Sequence, residues 1–110
     1  MHRTRRAALK RAGWAIGSAQ EFLKLSPEEA AFIGMKFALA DELKHKREDL
    51  GLTQAGLARR LNTSQSRVAK MEAADATVSL DLLVKALLAL GASRKTLARV
   101  FGSAKRTRAA

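Results

Sequence analysis

Five serine and threonine residues along this chain each lie just ahead of an apolar segment with helical spacing. Such a hydroxyl accepts a hydrogen bond from the first turn of a helix, which makes it a start signal. The five start signals are Ser26, Thr53, Ser64, Ser79 and Ser93. With one proline and seven glycines in 110 residues, the chain holds few of the turn residues that a β fold requires. The pattern predicts an all-α fold without strands.

The spacing of apolar residues predicts about six helices. An amphipathic helix is expected over residues 7–24, where apolar side chains recur at intervals of three and four. The next should begin at the capping box of Ser26 and Glu29 around Pro27 and run to about Leu50. Shorter helices are expected over 54–61, 65–72, 80–90 and 94–101.

The same pattern predicts the core and the helix ends. Helices should end at Gly51, Gly91 and Gly102, and Asn62 should occupy a left-handed position in a sharp turn. The residues expected to face inward are Phe32, Met35, Leu39, Leu43, Leu50, Leu57, Ala58, Leu61, Val68 and Met71.

Positive charge is concentrated at the two ends of the chain. The formal net charge is +11, yet residues 25–93 hold nine bases and nine acids. Residues 1–24 hold six bases and one acid, and residues 94–110 hold six bases and no acid. This distribution indicates a polyanionic partner, with nucleic acid favoured over an anionic membrane surface. The arginine-rich start has the composition of an organellar transit peptide, but a basic arm is favoured, and a cytoplasmic location is expected.

Catalytic and metal-binding residue types are scarce. The chain has no cysteine and two histidines, and its adjacent acids cannot converge on one site of a helix. It also lacks a glycine-rich phosphate loop and a Ser/His/Asp set. We therefore expect no enzyme activity, no metal and no cofactor. The longest apolar stretch is too short to span a membrane, so no membrane partner is expected.

Two short helices around a tight turn are expected within residues 53–72, TQAGLARRLNTSQSRVAKME. Only Val68 and Met71 of the second helix should face inward, leaving a donor-rich outer row of Gln65, Ser66, Arg67 and Lys70. An α-helix fits the major groove of DNA, and these residue types bind base edges or phosphates there.

Residues 51–72, GLTQAGLARRLNTSQSRVAKME, resemble the helix-turn-helix of Cro/C1-type repressors, the XRE family. Residues 39–90, about half of the chain, cover the family's five-helix unit. The resemblance implies a lambda-repressor-like DNA-binding domain, here with an additional N-terminal helix and basic ends. The matching positions are Leu39, Leu43, Arg47, Leu50, Leu52, Thr53, Gln54, Leu57, Ala58, Leu61, Ser64, Gln65, Val68 and Glu72.

The resemblance also implies roles for individual residues. Base edges would be contacted by Gln65, Ser66 and Lys70, and phosphates by Gln54, Ser64 and Arg67. Arg47 and Glu72 match a pair that forms a structural salt bridge in the family.

The expected organisation is a basic arm and helix over 1–25, a helix-turn-helix domain over 26–102, and a flexible basic tail over 103–110. Repressors of this type bind two half-sites, so we expect a homodimer. Its interface would use Leu82, Ala86 and Leu90 or another apolar subset of their helix, or the helix at 7–24.

The function expected is repression by promoter occlusion. The flanking block FLKLSPEEAAFIGMKFALADEL also resembles HigA-like antitoxins, which implies an alternative. The protein would then bind and neutralise a small ribonuclease toxin and autoregulate its operon. A third alternative is a nucleoid or RNA-binding protein that uses charge alone.

Overall fold

Five helices make up the part of the chain that the structure describes. The computed structural model describes residues 25–109, with side chains through Ser103. The helices are α1 (Pro27–Asp49), α2 (Gln54–Arg60), α3 (Gln65–Glu72), α4 (Leu80–Ala89) and α5 (Arg94–Ala109). These residues contain no strand, so the all-α prediction is confirmed. The predicted helix over 7–24 and the basic arm lie outside the described residues.

Each of the five start signals caps a helix. Ser26 and Glu29 form the capping box, with Ser26 Oγ accepting from the Glu29 amide at 3.1 Å and Glu29 Oε1 accepting from the Ser26 amide at 2.9 Å. The other four hydroxyls accept in the same way from the amides of Gly56, Arg67, Leu82 and Thr96. Local hydrogen bonds therefore set where every described helix begins.

Four helices end in the same hydrogen-bonded turn, with one residue in the left-handed conformation. That residue is Gly51, Asn62, Ala74 or Gly91, with φ of 71°, 58°, 55° and 93° respectively. After α2, for example, the Asn62 amide donates to the Arg59 carbonyl and the Thr63 amide to the Ala58 carbonyl. This is the Schellman motif, which satisfies the last carbonyls of a helix. The sequence predicted the two glycines and Asn62, but not Ala74.

Ala74 carries a cost that glycine would not. An alanine in the left-handed region brings its Cβ close to the backbone carbonyl. We expect Ala74→Gly to raise the free energy of unfolding by about 0.5–1 kcal/mol, because glycine adopts the left-handed conformation without this clash. The loss of the partly buried methyl group offsets some of that stabilisation. Chemical denaturation measures the change. The matched control is Ala73→Gly, where φ is −88° and the same substitution should destabilise. A loss of stability in both variants would contradict this account.

The core lies where α1 packs against α3, α4 and α5, and where α2 packs against α3. Its fully buried large side chains are Leu39, Leu43, Leu57, Val68, Met71, Leu83 and Leu87. Five of the residues predicted to face inward belong to this set, so their prediction is confirmed: Leu39, Leu43, Leu57, Val68 and Met71. Ala58 is also buried, and Leu61 and Met35 are half-buried.

Two predicted core residues are exposed. Phe32 is 46% exposed and Leu50 43%, so their prediction as inward residues is wrong. Phe32 continues the stripe of Leu39 and Leu43 by helical spacing, but it lies toward the start of α1, away from the core cluster. Leu50 is the C-cap of α1, where the chain leaves the helical path. Periodicity predicts the direction of a side chain and gives no information on how far the neighbouring helices extend.

The last helix is longer than predicted. α5 continues through Gly102 to Ala109, so the prediction that it ends at Gly102 is wrong. A glycine inside a helix costs about 1 kcal/mol relative to alanine, which weakens a helix without stopping it. Gly102 also lacks the left-handed φ that marks the helix-ending glycines Gly51 and Gly91.

The apolar surface of α4 is used mostly within this chain. Leu83, Ala86, Leu87 and Leu90 are buried in the core, while Leu82 is half-buried. Ala86 and Leu90, two of the three residues named for a dimer surface on α4, are therefore covered within this chain, and another apolar subset of α4 stays a prediction. Leu88, 45% exposed, is the large apolar side chain that α4 leaves at the surface.

Candidate nucleic-acid interface

A short turn holds α2 and α3 at a fixed angle. The left-handed backbone of Asn62 and the bond from the Thr63 amide to the Ala58 carbonyl (2.8 Å) reverse the chain within a few residues. Buried Leu57 and Ala58 of α2 and Val68 of α3 pack beneath the turn. Because both the turn and the packing are fixed, the outward direction of α3 is fixed as well.

The outer face of α3 carries the predicted contact row. Gln65, Ser66, Arg67 and Lys70 are all exposed, whereas Val68 and Met71 on the opposite face are buried. In the part of the chain with described side chains, Gln65, Ser66 and Lys70 form no side-chain hydrogen bond or ion pair. The structure thus brings the three predicted base-contacting residues together on one surface.

The positive N-terminal ends of the α2 and α3 helix dipoles are not neutralised by acidic side chains of their own first turns. Neither has an acidic residue in its first turn, in contrast to α1 with Glu28 and Glu29 and α4 with Asp81. The unpaired amides and the helix dipole at such an end favour an anion. Ser64 is exposed at the start of α3 and accepts from the Arg67 amide, so its own hydroxyl proton remains available to a phosphate.

A part-buried ion pair joins α1 to the end of α3. Arg47 Nε donates to Glu72 Oε2 at 2.6 Å and Nη2 donates to Oε1 at 3.2 Å, with side chains 12% and 4% exposed. Arg47 Nη1 also donates to the Leu52 carbonyl at 2.8 Å. The hydrogen bond to Glu72 raises the pKa of Arg47 above its ordinary value against the opposing effect of burial. The structure thus joins the two residues that the resemblance paired.

Gln54 belongs to the same network. Its Nε2 donates to Glu72 Oε1 at 3.1 Å, which fixes the orientation of the side-chain amide at the start of α2. That nitrogen carries a second hydrogen, and Gln54 is only half-buried. The network therefore leaves one donor of Gln54 for a phosphate. Sequence reasoning missed this contact, because a spacing of eighteen residues carries no signal of proximity.

The loop after α3 has its own local order. Asp75 Oδ1 accepts from both the amide (2.9 Å) and the hydroxyl (2.6 Å) of Thr77. These bonds hold the pKa of Asp75 below its ordinary value, with a smaller contribution from the charge of Lys70. The carboxylate of Asp75 therefore lies near the Lys70 end of the contact row. The sequence analysis did not single out Asp75.

The described residues contain neither a cluster of metal-ligating side chains nor a helix suited to cross a membrane. Their His, Asp and Glu side chains form no group of three or more that could hold a metal ion. Of the helices over residues 25–109, none combines the length and the apolar character required to cross a membrane.

A helix pair joined by a tight turn, with an exposed donor-rich second helix, defines a DNA-binding protein of the helix-turn-helix class. A family model described as "Helix-turn-helix domain" matches residues 38–100. Since this match covers more than half of the chain, the protein belongs to that family. The search of curated proteins and the search of solved structures gave no match.

Proposed function

We propose that the protein is a sequence-specific transcriptional regulator of the Cro/C1 type, acting in the bacterial cytoplasm by occluding a promoter. The observation that carries the proposal is the exposed outer face of α3, built entirely from hydrogen-bond donors and acceptors. Helix-turn-helix proteins act by binding DNA, and this mechanism requires no catalysis.

The base contacts are assigned to Gln65, Ser66 and Lys70. Gln can bind adenine through two hydrogen bonds, and Lys can donate to the acceptors of guanine in the major groove. Ser66 can donate to or accept from several bases, so it adds little discrimination. Sequence preference therefore rests mainly on Gln65 and Lys70.

The phosphate contacts are assigned to Gln54, Ser64 and Arg67. Gln54 and Ser64 lie at the starts of α2 and α3, where the helix dipoles also favour a phosphate. Arg67 is an exposed cation beside the base-contacting row. These contacts position the protein on the duplex and carry no sequence information.

Arg67 gives a test of this division. We expect Arg67→Ala to weaken binding to all DNA sequences alike and to reduce the slope of log K against log salt by about 0.9. Fluorescence anisotropy over a salt series measures both quantities. Lys85→Ala is the charge-matched control, since Lys85 is an exposed cation on α4. An unchanged slope in Arg67→Ala, or an equal change in the control, would contradict the assignment.

A homodimer is part of the proposal. Helix α3 has eight residues and a length of about 12 Å, which spans only three or four base pairs. One such helix contacts too few base pairs to select a unique operator, which supports the binding of two copies to a palindromic site. Analytical ultracentrifugation of the protein with and without operator DNA tests this state.

The antitoxin role remains a prediction from the resemblance alone. Co-expression with the neighbouring reading frame, followed by purification of one partner, tests it directly. Recovery of the regulator without a bound ribonuclease would favour promoter occlusion as its main task.

A further inference from the structure

The last helix, α5, carries the excess positive charge of the described residues. Residues 25–93 hold nine bases and nine acids, whereas α5 holds six bases and no acid. The whole net charge of residues 25–109, which is +6, therefore lies on one helix. That helix is not α3, to which the base contacts are assigned.

The cations of α5 whose side chains are described are all exposed. They are Arg94, Lys95 and Arg99. Within residues 25–103, Arg94 and Lys95 form no ion pair, and Arg99 pairs with Glu42 at 3.4 Å. Because the Arg99 side chain is 65% exposed and has five donor hydrogens, this pair leaves most of its donors for a further anion.

Two of these cations lie where the helix itself disfavours them. Arg94 and Lys95 are in the first turn of α5, beside the positive end of its dipole, whereas α1 and α4 have acids in that turn. Local helix stability therefore does not account for their positive charge, which points to a role in binding.

Two ion pairs of α1 show that α5 and α3 lie on different sides of this helix. Glu42 pairs with Arg99 of α5, and Arg47 pairs with Glu72 of α3. Glu42 and Arg47 are five residues apart, which is about 140° around the helix axis. The exposed side of α5 therefore does not border the groove that α3 would enter.

The chemistry of this exposed side fits a phosphate backbone better than lipid or protein. Membrane-surface helices insert an apolar face into lipid, but Leu97 and Val100 of α5 are buried in the core. Protein interfaces are anchored by large apolar and aromatic side chains, and the exposed neighbours of the cations are Ala98 and Gly102. A phosphate backbone requires only the cations, because the release of its counterions drives binding.

We propose that α5 is a second, sequence-independent contact for DNA, which binds the phosphate backbone of a different duplex segment from the one that α3 enters. One copy of the protein then holds two segments at once. The proposal rests on DNA binding by the helix-turn-helix, as in the proposed function, and not on sequence reading by α3.

A bridging assay tests this arrangement. A duplex of random sequence is fixed to beads, the full-length protein is added, and capture of a second, fluorescent random duplex is measured over a salt series. We expect the unaltered protein to capture the second duplex, with an affinity that falls steeply as salt rises.

A matched pair of lysine variants isolates α5. Lys95→Gln should weaken capture about eightfold at about 0.1 M salt and reduce the slope of log K against log salt by about 0.9, because one phosphate contact is lost. Lys95→Gln, Arg99→Gln should reduce the slope by about 1.8. Lys85→Gln, which removes an exposed lysine of α4, should leave the slope unchanged. Circular dichroism verifies that each variant is folded.

Equal capture by Lys95→Gln and the unaltered protein, as when a dimer joins two duplexes through its two copies of α3, overturns the proposal. Equal losses in Lys95→Gln and Lys85→Gln do so as well. Absence of capture also overturns it: protein retained on the fixed duplex then locates the failure in α5, and protein not retained locates it in the helix-turn-helix.

A parallel titration separates DNA from a lipid surface. Phosphatidylserine vesicles replace the second duplex, and a larger loss in Lys95→Gln with vesicles than with DNA assigns the face to a membrane and overturns the proposal. Since both duplexes have random sequence, the result is independent of whether α3 reads an operator.

Discussion

Glu72→Ala is expected to lower the free energy of unfolding by about 1.5–3 kcal/mol, a large part of the stability of a small domain. The substitution removes the partner of Arg47, whose side chain is 12% exposed, and leaves its guanidinium with the hydrogen bond to the Leu52 carbonyl. It also releases Gln54, whose amide loses the carboxylate that orients it. Denaturant unfolding followed by circular dichroism measures the stability loss.

Arg99→Ala is the matched control for this prediction. Arg99 pairs with Glu42 at 3.4 Å, but its side chain is 65% exposed. Water and salt screen such a pair, so we expect a loss below about 1 kcal/mol. Similar losses in Glu72→Ala and Arg99→Ala would show that burial of the Arg47–Glu72 pair has no special importance.

The double substitution Gln65→Ala, Lys70→Ala is expected to reduce discrimination between operator and random DNA by about 2–6 kcal/mol, at 1–3 kcal/mol for each base contact. Both side chains are exposed, so the fold should be unaffected. Anisotropy titrations at one fixed salt concentration, with a selected operator and a shuffled sequence, measure the two affinities. Their ratio isolates base recognition from the general attraction of a basic protein to DNA.

Lys85→Ala controls for charge, because it also removes one positive charge from an exposed position. It should weaken both titrations slightly and leave their ratio unchanged. If the double variant keeps the full ratio, α3 does not read the sequence through these side chains.

Local chemistry made much of the fold predictable from the sequence. Caps such as Thr53 and Ser64 act within three residues, and left-handed positions such as Gly51 and Asn62 depend on the residue itself. Both signals are contained in a short stretch of sequence. Ala74 was missed because its left-handed turn is imposed on a residue that does not favour it.

Tertiary context decided the rest. Phe32 and Ala86 both follow a helical stripe, but α1 leaves Phe32 exposed while α4 buries Ala86 in the core. The exposed row on α3 followed from two inward residues and a capping serine, so it could be predicted. The link from Gln54 to Glu72 could not, since it depends on how α2 and α3 approach each other.

Selection of bound DNA from a random pool tests the central claim most directly, that α3 reads a particular sequence. The protein is incubated with random duplexes, and bound molecules are amplified and sequenced over several rounds. We predict enrichment of a palindrome whose half-sites are about 10 base pairs apart, one turn of DNA, and no such enrichment with Gln65→Ala, Lys70→Ala. Equal recovery of all sequences by the unaltered protein would contradict the claim and would indicate binding through charge alone.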